Sequence, residues 1–443
     1  MHLAHVFIGR FDLAVPLSTV LIAAMAVVAA SFGLIYLLPP RPSRPERSGA
    51  VVPRPVVIGL QTVAVLIVLY LAAVGIAGNQ VTVLNGAVIL FWVLLIPLLP
   101  LAHCLLGGAY EVANPFALGA RLVTSGASAR RERDPRLDRL GYWPAVVMLF
   151  LLVWFELALR VVPSSPRALG ILVVVYSLFQ VAMGAWLGEE WYRGGDLFAA
   201  ITALASTVAA VAVTRDNDGF VRLKLGFRPA RFLPAARGRE ALITLWLAGV
   251  LADGVKATPI WRAVSTASQD FSASIGQVGS IDLGALLLDT TEIVVTWLAF
   301  AAFFWAFAYL AARLVRRPLG EIARIVAPSL IPIALAYLLA HNLTQILAIG
   351  PLLFSASGAD VGTAAFQLQQ NASHLNPPLI FLVQVSAIVL GHVIAVVMAH
   401  ARLRHSKAGE ELAIRADLGW LSAMLIYTAT SLWVLAQPIT NQG

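Results

Sequence analysis

The chain has 443 residues, of which 59% are apolar or aromatic and only 12% charged, about half the charged share of an ordinary soluble protein. Its mean hydropathy of +0.83 excludes a water-facing globule, a disordered chain and a collagen-like rod. Its single cysteine, Cys104, excludes an intramolecular disulfide or a cysteine-only metal cage. The net charge of +8 sits mostly in short segments between apolar runs, which is the pattern of membrane topology rather than of nucleic-acid binding. The chain is an integral protein of a lipid bilayer.

A helix needs about 20 apolar residues to cross roughly 30 Å of hydrocarbon. The first such window is Leu17 to Leu38. It follows no basic segment and precedes no A-x-A site, so it is expected as a retained span rather than a cleaved signal. Pro39, Pro40, Pro42 and Pro45 make the next connection extended. Windows follow at Val56 to Ala77, Val81 to Pro100, Pro144 to Val162 and Ala168 to Leu187. The run Leu197 to Val213 is weaker, being mostly alanine, valine and threonine. In the basic loop 214–240, Asp216-Asn217-Asp218-Gly219 ahead of alternating Phe220, Arg222 and Lys224 predicts a small hairpin. Ala241 to Val255 is a short span, then come Leu283 to Ala312 and Ala323 to Ile349. The external loop 350–377 precedes Pro378 to His400 and Leu418 to Ala436. No segment alternates with period two as a membrane barrel would. The predicted fold is all-α: one polytopic transmembrane helical bundle of ten or eleven hydrophobic segments.

Sidedness follows from arginine and lysine in the short loops. The basic loops are Arg41 to Arg54, Arg121 to Arg139, Arg215 to Arg239, Arg313 to Arg324 and Arg402 to Arg415. All five fall on the cytoplasmic side if Leu197 to Val213 is re-entrant. That gives ten spans with both termini outside; a full crossing there would give eleven.

Ionisable groups inside a bilayer are costly unless they face the bundle interior and have partners. The candidates are Glu156, Asp253, Asp289, Glu292, His341 and His392. On the ten-span topology Asp253 lies near the outer end of its span. Asp289 and Glu292 sit about one turn apart on the next, and His341 is past the midpoint of its own. The external N-terminus adds His2 and His5, and the external loop adds His374. Such a set suits zinc, another divalent metal or copper, and suits a proton relay equally well. Each residue also has a purely structural explanation. Glu156 would pair with Arg160, Asp253 with Lys256, and Asp289 would cap a helix near Thr290. His341 would make an interhelical hydrogen bond. His392 and His400 are about 12 Å apart along one helix, too far to share a metal; His400 is interfacial and His392 deeper. There is no G-x-S-x-G, H-E-x-x-H, Walker or G-x-G-x-x-G signature.

Several stretches resemble a family of bacterial multi-pass membrane proteins known as fenitrothion hydrolases. They are Ala4-His5 through Gly9-Arg10 and Asp12-Leu13, Asn114-Pro115-Phe116, and Leu140-Gly141-Tyr142-Trp143-Pro144-Ala145. Ala252-Asp253-Gly254 ahead of Thr258 and Trp261, Ala340-His341-Asn342, Gly391-His392-Val393 and Ala399-His400 continue the resemblance in order along nearly the whole chain. The segment Ser355 to Asp360 is less acidic and glycine-rich than that pattern, and Ala401 stands where aspartate is expected. The resemblance implies hydrolysis of an organophosphorothioate ester by a protein of the bacterial inner membrane.

Two functions are therefore expected. In the first, His5 and His341 hold a metal with Asp253 or Glu292, and His392 is the further candidate ligand. The ion generates hydroxide that attacks phosphorus, while Arg10 stabilises charge on the phosphoryl group. A small apolar ester would arrive from the bilayer. In the second, the same groups form the pathway of a permease, or of a membrane subunit handling metal ions, protons or electrons. Glu156 and His392 extend that pathway, and a second membrane subunit would complete it.

Overall fold

A computed structural model describes residues 16–37, 49–127, 132, 134–159, 165–215, 220–225, 236–279, 281–355, 358–405 and 410–440. His2, His5, Arg10, Arg160 and the turn Asp216 to Gly219 lie outside the described residues. Among the described residues, eight helices are long and apolar enough to cross a membrane. They include α1 (Leu17–Leu37), α2 (Arg54–Ala77) and α3 (Gly86–Leu105). Two shorter segments run between the same two ends. The first, Trp143–Leu159, is flanked at one end by the Tyr142 N–H, which donates to Arg237 O at 2.7 Å.

 Its other end is tied through the Leu157 carbonyl, which accepts from Lys256 Nζ at 2.8 Å. The second short segment, Arg239–Lys256, therefore lies beside it over its full length, and breaks by 71° into Pro259–Ala267. Counting the bent pair as one span gives up to nine spans among the described residues by length and composition, with Trp143–Leu159 a shorter apolar helix beside it.

The breaks are written locally. Prolines open the helices at 115, 144, 166, 259 and 332, where a missing N–H costs nothing. Asn114, Ser165, Asp196, Thr258 and Asp282 each accept a backbone N–H as N-caps. Asp282, not Asp289, starts the helix Leu283–Val315, so the expectation that Asp289 caps near Thr290 is wrong: Asp289 lies inside the helix and is buried. The segment Leu319–Ser355 is the most enclosed, 78% of its apolar window being buried against 11% for Arg54–Ala77. Its helix Ile331–Ala348 packs on Pro377–His405 with no room for a side chain at Gly391, where a Cβ would stand 2.4 Å from Ala336 Cβ. Close backbone approach through small residues is the usual way membrane helices pack. Outward faces carry exposed apolar side chains such as Leu66, Leu178 and Leu382, as a lipid-facing surface requires.

A four-stranded sheet sits at the end that carries Arg54 and Arg239. Its order is β1 (Ala50–Val51), β4 (Val221–Leu225), β3 (Val211–Arg215), β2 (Leu106–Gly107). β3 and β4 are antiparallel neighbours, which is the predicted hairpin; β2 and β3 are parallel.

Two of the segments assigned to that end turn back into the bundle. The segment Leu197–Ala205 with a 3-10 turn Ser206–Val208 is about 18 Å long, too short to cross. It ends beside the last turn of α3, where the Ala210 N–H donates to Cys104 O at 3.1 Å. It begins in the middle, with Phe198 edge-on to Tyr176 at 5.8 Å, halfway along the helix Pro166–Leu187. The expected re-entrant segment is thus a half-helix. A second one, Pro115–Val123, enters the basic loop Arg121 to Arg139 only with its last three residues. Phe116 also meets Tyr176 edge-on, at 5.4 Å, and the helix runs back along Pro166–Leu187 to the Arg121–Glu189 ion pair. The two half-helices start at the same height and are joined cap to cap: Asn114 Nδ2 donates to Asp196 Oδ2 at 2.8 Å.

Candidate functional site

A cavity of about 100 Å³ opens where five segments meet. Its walls are apolar and aromatic, with Trp92, Leu152, Phe198 and Trp246, and Glu156, Asp253, His341, Asn342 and Gln345 supply the polar groups. Phe198 places the first turn of a half-helix on its wall. Two π-helical stretches border it, Ile89–Leu95 carrying Trp92 and Phe155–Leu159 carrying Glu156. A π segment rotates side chains and loosens carbonyls relative to an α-helix, and such bulges concentrate at functional sites. Here the loosened Leu157 carbonyl takes a hydrogen bond from Lys256.

The ionisable groups of these spans meet in two pairs. His341 Nε2 stands 3.3 Å from Asp253 Oδ2, joining Ile331–Ala348 to Arg239–Lys256. Lys256 Nζ stands 2.9 Å from Asp289 Oδ1, joining Arg239–Lys256 to Leu283–Val315. Lys256 thus takes Asp289, in addition to any effect it has on Asp253 three residues away. Glu292, one turn beyond Asp289, is 1% exposed and accepts from Thr296 Oγ1 at 3.0 Å. Trp154 Nε1 donates to Thr290 Oγ1 at 2.8 Å and fixes the register between neighbouring helices. The pairs are 11–19% exposed at the side chain, so water screens them little.

His392 does not join this group. Gln384 Nε2 donates to the Ala340 carbonyl at 2.8 Å, which sets Gln384 level with His341. His392 lies eight residues further along that helix, about 12 Å by the helical rise, and its Nδ1 bonds the Ile388 carbonyl at 2.8 Å. Among the described residues no three histidine, cysteine, aspartate or glutamate side chains stand together to hold a metal ion. The proposed ligand His5 and the charge-stabilising Arg10 lie outside the described residues.

Sequence reasoning missed two features. One is Trp92, whose Nε1 is buried without an acceptor on a residue that lines the cavity. Nothing in the sequence distinguishes it from the chain's other tryptophans. The other is the Asp196 hub. Asp196 Oδ1 accepts from Tyr176 Oη at 2.8 Å and the Phe198 N–H at 3.0 Å, while Oδ2 accepts from Asn114 and from Tyr110 Oη at 3.2 Å. The available signal was an aspartate and an asparagine each directly before an apolar helical run, the second followed by proline. Asn114-Pro115-Phe116 opens a half-helix, and Asp253, His341 and Asn342 line the cavity. Comparison with protein-family models, curated proteins and solved structures finds no match.

Proposed function

We propose that the chain is a membrane-embedded hydrolase of small apolar organophosphorus esters, oriented in a bacterial inner membrane with its basic loops in the cytoplasm and both termini outside. The observation that carries this reading is the Asp253–His341 pair on the wall of an apolar cavity. A carboxylate beside an imidazole fixes its orientation and stabilises the imidazolium, which is what a general base needs. His341 takes a proton from water, the hydroxide attacks phosphorus, and the ester's leaving group departs as the P–O bond to it breaks. The buried Trp92 N–H is a donor suited to the phosphoryl oxygen or sulfur. An apolar pocket with a few converging polar groups is the ordinary form of a small-molecule site, and a bilayer delivers an apolar ester to it. The phosphorothioate class comes from the resemblance to the fenitrothion hydrolases.

The test is turnover of a chromogenic aryl phosphorothioate triester by detergent-purified protein. His341→Ala and Asp253→Asn are expected to lower kcat by a factor on the order of a hundred or more. Full activity in both variants removes the dyad mechanism. A second reading, a permease for protons or small ions, is favoured by the paired half-helices, since broken helices meeting at mid-depth are common in transporters. Uptake by proteoliposomes without ester turnover would select it.

A further inference from the structure

We infer that Glu292 is a proton-binding site, holding a proton on its carboxyl at neutral pH beside the Lys256–Asp289 and Asp253–His341 pairs. The argument rests on the charge balance and on orphaned atoms, and does not depend on which substrate the cavity takes.

Three carboxylates from two helices meet one ammonium and one imidazole. Lys256 is committed to Asp289 and to the Leu157 carbonyl, at 2.9 and 2.8 Å. His341 is beside Asp253. The third carboxyl, Glu292, is 1% exposed; Thr296 serves its Oε1, and its Oε2 is buried with no partner. An ionised carboxylate with an unserved oxygen inside a membrane bundle is far costlier than a neutral acid in the same place. A second observation marks the same ground. Tyr337 stacks on the His341 ring, centroids 6.1 Å apart, and its Oη is also buried and unpartnered. That hydroxyl lies 3.1 Å from where a Cβ on Gly254 would stand, beside Asp253.

The other charged and titratable groups facing this region do not alter the balance in favour of ionisation. Glu156, from the π segment on the cavity wall, supplies no cation. Asp270 belongs to the exposed helix Gln269–Ile275 against the first turns of Leu283–Val315, and Glu321 and Arg324 lie at that helix's far end. In the last span, residues 419–437 offer Tyr427, which stacks on Phe300 two turns away.

The experiment is infrared spectroscopy of the full-length purified protein at pH 7, with thermal melting alongside. Wild type is expected to show a protonated-carboxyl band that Glu292→Gln removes. Because glutamine is the isostere of the neutral acid, Glu292→Gln should melt close to wild type, whereas Asp289→Asn, which strips Lys256 of its partner, should melt well below it. The proposal is overturned if the band is unchanged in Glu292→Gln, or if that variant fails to fold or melts as low as Asp289→Asn.

Discussion

Asp196→Asn tests whether the two half-helices are held by one carboxylate. The substitution keeps the shape and turns one of two acceptor oxygens into a donor. If the new amide group replaces Oδ2 it faces Asn114 Nδ2, a donor at 2.8 Å. Asn114 cannot turn over to meet it, because its own Oδ1 already accepts the Phe116 and Ala117 N–H groups at 2.9 and 3.1 Å. If the amide replaces Oδ1 it faces the Phe198 N–H and the half-helix Leu197–Ala205 loses its cap. The first orientation sets two donors against each other and the second breaks a cap, about 1 kcal/mol either way. Each also loses a hydrogen bond to a charged group, about 1.5–3 kcal/mol. The expected loss is therefore roughly 2–4 kcal/mol, read by thermal melting or denaturant titration of detergent-purified protein. Tyr110→Phe is the internal reference, since it removes only the longest bond of the four, 3.2 Å. If Asp196→Asn is no less stable than Tyr110→Phe, the hub does not organise the half-helices.

Lys256→Met leaves Asp289 buried without its cation and should cost about 3–5 kcal/mol; replacing Asp289 by leucine as well should recover most of that, as a double-mutant cycle would show. Gly391→Ala forces a Cβ to 2.4 Å from Ala336 Cβ and 2.8 Å from the Pro332 carbonyl, so it should lower stability by about 1–3 kcal/mol. Gly59→Ala, where nothing lies within 4 Å, should be neutral or gain up to about 1 kcal/mol from helix propensity. Trp92→Phe removes an N–H that bonds nothing in the protein, so its melting temperature should match wild type. Ester turnover should nonetheless fall by a factor of roughly ten or more; unchanged turnover would remove Trp92 from substrate binding.

Composition alone determined the bilayer setting and the all-α bundle, because an apolar run of about 20 residues has no other place to go. The helix starts were equally legible, since a proline or a capping side chain acts within one turn. So was the grouping of Asp253, Asp289, Glu292 and His341, because helical rise converts position in a span into depth. Sequence could not decide which carboxylate pairs with which cation, since depth fixes height and leaves rotation free. Lys256 reached Asp289 across a helix interface, and His341 took Asp253. Rise along the helix also counted against His392, yet only the Gln384–Ala340 contact fixed its level relative to His341. The half-helix Pro115–Val123 was not legible because nine residues are too few to register as a span. Its depth is set by partners distant in the chain, Tyr176 and Asp196, and such contacts exist only once the helices have packed.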